Sequence, residues 1–307
     1  MEKIGKPIRV FKFGGMCTAS GENIKKVLSI LKKYREHKLI IVFSAKGKTT
    51  DNLYEVLRLW RSNDPAWERK LSEIVQGHSN LAKKVSSVYP RNTIAKFDDY
   101  YHAILSILSD KRNMQTNAVA KNILSAKIVS YGEQYATTLM YELIKGEIRK
   151  TPLVISAKEC IVTDEVVMDA QIYENDTQRA IQQRLVANQA WGEMHPWVIT
   201  EGFIATTKSG HTSLLGREGS DYSAGIFGAF THAESVTLWK TVDGVFSSDP
   251  NSTSGAQLYR ELTYDKASAL HAKVIHPKTI TLLKKYNIPL IVKSIHKPDE
   301  VGTIITA

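Results

Sequence analysis

Apolar positions along the chain alternate between two spacings. Ile8 to Phe13 (IRVFKF) is a short apolar run that ends on Gly14-Gly15, the pattern of a buried strand running into a turn. From Asn23 to Tyr34 the spacing becomes helical, with Ile24, Val27, Leu28 and Leu31 on one face. Leu39 to Ser44 (LIIVFS) is a second buried strand. Strand, turn, helix, strand is the opening of a parallel α/β sheet. The stretch from about Asn52 to Lys127 is amphipathic and predicts mainly helix, with two prolines, Pro65 and Pro90. Val198 to Phe203 is another apolar run. Tyr222 to Thr231 is small and apolar, as in a buried helix. Ser235 to Trp239 predicts a strand, Lys266 to Tyr286 a helix, and Ile288 to Lys293 a strand with a proline near its start. Asn251 to Tyr259 is rich in loop formers. With no repeat and no low-complexity linker, these elements predict an α/β sandwich with two lobes in one folding unit.

The chain has 307 residues, enough for one large domain or two lobes. Its 43% hydrophobic and 23% charged residues are ordinary for a globular protein with a sizeable core. No run approaches the roughly 18 apolar residues needed to span a bilayer. Met1 to Val10 lacks the apolar core of a signal peptide, so a cytoplasmic location and no membrane partner are expected. Two cysteines, Cys17 and Cys160, stand too far apart to suggest a metal site or a disulfide framework. The net charge of +10 suits either nucleic acid or small anions. The basic residues are spread along the chain, without a recognition helix or an aromatic-basic motif, and nucleic acid is not expected.

Lys12-Phe13-Gly14-Gly15 falls where a strand ends and a helix is about to begin. Glycines there would let backbone N–H groups approach phosphate oxygens, and Lys12 would add a mobile positive charge. Taken alone, the motif fits a plain strand-to-helix turn equally well. It is neither a Walker A motif nor G-x-G-x-x-G, which argues against a P-loop ATPase and a Rossmann dehydrogenase.

Further segments follow in a fixed order. Ser44-Ala45-Lys46-Gly47-Lys48-Thr49-Thr50-Asp51 comes after the second strand, and Ser130-Tyr131-Gly132-Glu133 is expected to open a helix. Thr200-Glu201-Gly202-Phe203-Ile204 precedes Leu215-Gly216-Arg217-Glu218-Gly219-Ser220-Asp221-Tyr222. Trp239 to Phe246, Ser248-Asp249-Pro250 and Ala272-Lys273-Val274-Ile275-His276-Pro277 complete the set. From Val10 to Thr303 this series resembles the catalytic domain of aspartokinases, in the amino acid kinase family. The resemblance implies an αβα sandwich around a mostly parallel sheet. An acceptor-binding N-lobe would cover about 1–200 and a nucleotide-binding C-lobe about 201–307. It implies ATP with Mg²⁺, an aspartate-like small-molecule acceptor, and pairing through the helical lobes as a homodimer. Aspartokinases typically continue into two ACT domains, and no ACT domain is expected within this chain.

The resemblance also implies roles. Lys12 and Lys273 would meet the phosphates from opposite sides of an in-line transfer. Asp221 would orient the lysines or reach Mg²⁺ through water; a helix N-cap is the competing role for Ser220 or Asp221. Arg217 would hold the α-carboxylate bidentately and Glu133 the ammonium. As an acid in a first helical turn, Glu133 would also suit the helix dipole. Ser44, Thr50 and Ser220 would complete the acceptor site, with a turn or cap role as the alternative for Ser44 and Thr50. Gly14, Gly15, Lys240, Thr241, Phe246, Asn251 and Val274 would line the nucleotide, with Trp239 to Phe246 bordering adenine and ribose or belonging to the core. His211, His271 and His276 receive no catalytic role, and an acceptor carboxylate already ionised near neutral pH needs no general base. No protein metal site is expected.

Several positions depart from the aspartokinase pattern. Met16-Cys17 stands where Thr-Ser or Ala-Ser is usual, Thr241 where aspartate is usual, Phe246 for tyrosine and Asn251 for arginine or lysine. His271 stands for a common glycine, and Glu218 for a glycine or glutamate. The leading expectation is phosphorylation of the aspartate side chain. The alternatives are a relative with another acceptor, a catalytically weak binding or regulatory subunit, and, more distantly, a nucleic-acid binder.

Overall fold

The computed structural model describes residues 7–86, 90–188, 190–191, 197–248, 252–253, 255–270 and 275–307. In chain order the elements begin with β1 (Ile8–Phe13), α1 (Gly21–Lys33) and β2 (Lys38–Phe43). A helical block follows: α2 (Thr49–Arg61), α3 (Ala66–Val85), α4 (Arg91–Ser109), α5 (Lys111–Met114) and α6 (Ala118–Leu143). Next come β3 (Leu153–Val154), β4 (Val162–Thr163), α7 (Glu174–Ala187), β5 (Trp197–Glu201), β6 (Ile204–Thr207) and β7 (Thr212–Leu214). The chain continues with α8 (Gly219–Phe230), β8 (Ser235–Lys240), β9 (Val245–Phe246), β10 (Leu258–Tyr259) and β11 (Glu261–Thr263). It finishes with α9 (Tyr264–Ala269), α10 (Pro277–Lys285), β12 (Leu290–Ser294) and β13 (Thr303–Thr306).

The central sheet has eight strands in the order β11-β13-β12-β8-β1-β2-β5-β3. Every neighbouring pair is parallel except β12 with β13. Strands buried on both faces need no alternation of polar residues, which is why β1 and β2 are nearly continuous apolar runs. The pleat sorts them all the same. Val10 belongs to the hydrophobic cluster that contains α8 and α10, while Phe11 and Phe13 join the cluster against α1 and α6. The sheet therefore has helices on both faces, as expected. Because β1 lies between β8 and β2, the sheet runs without a break through both proposed lobes.

Local signals set the helix limits. Ser20 caps α1 by accepting from the Asn23 N–H, with Glu22 in the first turn and Lys32 and Lys33 in the last. The helix expected over Lys266–Tyr286 is instead two, α9 and α10. Pro277 at the start of α10 lacks an N–H for an earlier turn, and His276 caps it by accepting from Lys278. The Ser130–Glu133 segment lies in the middle of α6, which Asn117 caps well before Ser130 by accepting from Ala120. Glu133 is thus not in a first turn, and the helix dipole gives it no special help. The loop expected over Asn251–Tyr259 ends in β10, which pairs with β9. No helix among the described residues is long and apolar enough to cross a membrane.

Candidate active site

Lys12 shares the α8 face of β1 with Val10, because successive side chains on a strand point to opposite faces. Its register partner on β8 is Leu238, so Lys240, two residues further, rises from the same face. Helix α8 crosses this face with every residue buried. A close approach is needed there: a Cβ at Gly228 would lie 2.3 Å from Val236 Cγ2. That proximity carries Asp221, in the first turn of α8, down onto the two lysines.

Asp221 is fully buried and binds both. Lys12 Nζ forms an ion pair at 2.6 Å with Oδ1, and Lys240 Nζ donates to Oδ2 at 2.7 Å. Burial pushes the Asp221 carboxyl up, but the two ammonium groups outweigh it and hold the pKa at about 2. Burial pulls Lys12 below the usual lysine range against the attraction of Asp221, and the Lys240 charge adds to that pull. A buried ion cluster is a weak source of stability because desolvation offsets the Coulomb gain; its effect here is to fix two cations in place. The N-cap role weighed for Ser220 and Asp221 falls to neither. Glu218 occupies that position in a left-handed conformation, φ 56°, and no side chain caps the helix.

The glycine turn differs in detail from a simple phosphate cradle. Gly14 N–H donates to the Trp239 carbonyl at 3.2 Å, so it tethers the turn to β8. Gly15 is required sterically: a Cβ there would lie 2.4 Å from the Ala45 carbonyl oxygen. Gly47 N–H closes the second tether by donating to the Gly15 carbonyl at 2.9 Å. The turn after β1 and the loop over 44–48 after β2 are therefore one packed unit. Cys17 is buried in it, with Sγ 3.2 Å from the Trp239 carbonyl, and burial pushes its thiol up to about 11. The neutral thiol serves the loop's packing, while Met16 beside it is exposed.

Glu133 reaches the site from α6. Gly132 before it fits against Ala45, Thr49 and Leu53, which brings α6 against the loop over 44–48 and α2. Glu133 is buried, and its Oε2 has no hydrogen-bond partner. Burial pushes its pKa up to about 8, with Glu201 adding to the rise; backbone hydrogen bonds, including one from Ala45, and the charge of Lys12 oppose it. Ser220 and Gly202 pack together so closely that a Cβ on Gly202 would lie 2.5 Å from that of Ser220. Arg217, just before α8, is exposed, while Ser44 after β2 and Thr50 in the first turn of α2 are half-buried.

The sequence reading missed Tyr54, on α2. Its hydroxyl is pushed up mainly by burial and then by Glu133, while Arg217 pulls it down, so it stands near both. Its place one turn after Thr50 was the available signal. Phe203 was also missed as a special position: it adopts φ 68°, and its N–H donates to Ser223 Oγ on α8.

On the nucleotide side, Trp239 is core: it is fully buried and stacks on Phe13 at 6.1 Å. Thr241 and Phe246 are half-buried beyond β8. Lys273, Val274 and Asn251 lie outside the described residues, as does His271. Among the described residues, no group of three or more His, Cys, Asp or Glu side chains could hold a metal ion.

The sequence matches the amino acid kinase family over residues 7–294. The bifunctional aspartokinase/homoserine dehydrogenase 2 of Arabidopsis thaliana is 29% identical over 309 residues, covering 98% of this chain and 32% of the relative. The corresponding enzyme 1 of Zea mays is 31% identical over 302 residues, covering 96% and 32%. The chain thus spans about a third of the length of these curated relatives. The structure of Escherichia coli aspartokinase III in complex with aspartate and ADP superposes with a TM-score of 0.86 at 24% identity, covering 97% of this chain and 64% of that one. With the family matched across nearly the whole sequence and the fold shared, this chain belongs to the amino acid kinase family.

Proposed function

We propose that the chain transfers the γ-phosphoryl group of ATP to the side-chain carboxylate of L-aspartate, giving 4-phospho-L-aspartate and ADP. One observation carries the reading: a buried lysine–aspartate–lysine cluster shares a site with Glu133, a buried carboxyl with an unpartnered oxygen. The first is fitted to phosphate charge and the second to an ammonium. The aspartokinase names of the relatives, and the aspartate and ADP in the E. coli structure, support the same choice.

In this reading Glu133 accepts the substrate ammonium and Arg217 forks onto the α-carboxylate. Ser44, Thr50 and Ser220 direct the side-chain carboxylate toward the phosphate. One of its oxygens attacks the γ-phosphorus, the bond to the β,γ-bridging oxygen breaks, and the electron pair leaves on ADP. Lys12 neutralises charge on the transferring group, and Lys273 is proposed to serve the other side. Mg²⁺ arrives with ATP and supplies charge neutralisation on the phosphates. Asp221, with a lysine ammonium beside each oxygen, would orient the lysines and reach the metal through water. No protein base is required.

Incubation with Mg-ATP and L-aspartate, hydroxylamine trapping and parallel measurement of ADP test the reading. Aspartyl hydroxamate that disappears in Lys12→Met is the expected result. Hydroxamate formed only with a different carboxylate acceptor would replace aspartate. ATP binding without turnover of any amino acid would contradict catalysis.

A further inference from the structure

Lys240 was expected to border the adenine and ribose, yet its ammonium lies in the lysine–aspartate cluster. We propose that Lys240 is a second cation of the transfer site, whose ammonium, held by Asp221 beside that of Lys12, binds phosphate oxygens of the nucleotide. The proposal rests on the reading of the chain as an ATP-dependent kinase.

Three observations support it. First, one carboxylate faces two ammonium groups, one on each oxygen. Asp221 would already be neutralised by Lys12 alone, so the cluster retains a positive charge in a dry place. Glu133, whose pKa lies near 8, adds little negative charge at neutral pH. An anion completes the cluster better than solvent does. Secondly, Lys240 is close enough to Lys12 to disfavour the charge there. A strut with that cost would be better built from a neutral residue. Thirdly, the Lys240 side chain is 18% exposed and that of Lys12 7%, so Lys240 is the cation with more freedom to swing from carboxylate to phosphate. Its position at the C-terminal end of β8 gives it a rigid base, and the strand pleat keeps it on the same face as Lys12. Charge accumulates on the equatorial phosphoryl oxygens during transfer, and paired ammonium groups would meet two of them.

Lys240→Met and Lys240→Arg test the idea by calorimetric titration with ATP and with adenosine, alongside initial rates. The methionine variant is expected to bind ATP about 10- to 100-fold more weakly, to bind adenosine unchanged, and to lose roughly 100-fold in kcat. The arginine variant should recover most of both losses. Equal weakening of ATP and adenosine would place Lys240 at the base or sugar and overturn the proposal. So would unchanged ATP binding accompanied by a lower melting temperature, the mark of a structural strut. The ATP-against-adenosine comparison needs no turnover, so a wild-type chain that binds ATP but phosphorylates no amino acid defeats the aspartokinase reading while still deciding the role of Lys240. A wild-type chain that binds no ATP overturns both.

Discussion

Glu133 makes the sharpest demands on a single side chain. Its burial keeps it protonated well above the pH at which an exposed glutamate ionises. Between its ordinary pKa of 4.5 and about 8, the unfolded chain has released this proton and the folded chain has kept it. Its contribution to stability therefore falls as pH rises through that window. Glu133→Gln should match the wild type in melting temperature near pH 5 and exceed it near pH 9. The same substitution should raise the KM for aspartate about 10- to 100-fold, because a charge-assisted hydrogen bond to the ammonium is lost. In the wild type, KM should fall as pH rises toward 8, since less work is needed to ionise the carboxyl. A KM independent of both pH and the substitution would remove Glu133 from the acceptor site. Asp221 has the opposite sign. Its stabilising contribution is present above its ordinary pKa of 3.8 and lost as pH falls toward about 2. Asp221→Asn should cost about 3–5 kcal/mol, read by denaturant unfolding at neutral pH, because two like charges remain in a dry cluster. Glu133, Lys12 and Asp221 could be named as candidates from the sequence, since short motifs mark them. Their protonation was not, because burial and neighbours come from segments far apart in sequence. Tyr54 went unseen for the same reason: its interest lies in proximity to Glu133 and Arg217, which no local pattern encodes.

At the scale of elements, α8 is the part whose placement decides the site. Its glycines lower intrinsic helix stability, by about 1 kcal/mol each relative to alanine, but Gly228 admits the sheet, and Gly225 helix α10, to the helix backbone. Gly228→Ala should therefore destabilise the fold by about 1–3 kcal/mol despite the better helix former, because the new methyl meets Val236. It should also lower kcat, as Asp221 is lifted from the lysines. Thermal unfolding and initial rates check both, and a variant more stable than the wild type would contradict this account of α8. The strands β1, β2 and β8 and the buried character of α8 were readable from apolar runs. The place of Glu133 within α6 was not: the polar Ser-Tyr-Gly before it imitates a helix start, whereas the true cap is Asn117. The break between α9 and α10 was signalled by Pro277 and overridden by the helical spacing on either side of it.

For the whole molecule, the parallel order of the sheet gathers loops from distant parts of the chain at one edge. The C-terminal ends of β1, β2, β5 and β8 adjoin in the sheet, and each is followed by a segment that carries residues proposed for the site. This is the expected place for a ligand in an open parallel sheet. The fold class followed from the order of strand and helix spacings, and the aspartokinase resemblance supplied the serial arrangement of motifs. Which motifs would touch was beyond the sequence. Lys240 shows this best, since only strand register places it beside Lys12. The central claim is that these loops transfer phosphate to the aspartate side chain. Its most direct test is the yield of aspartyl hydroxamate from Mg-ATP, L-aspartate and hydroxylamine, compared between the wild type and Lys12→Met. The account predicts hydroxamate in step with ADP for the wild type and at least a 100-fold loss for the variant. Hydroxamate unaffected by loss of Lys12, or ADP formed without any aspartate-dependent hydroxamate, would contradict it.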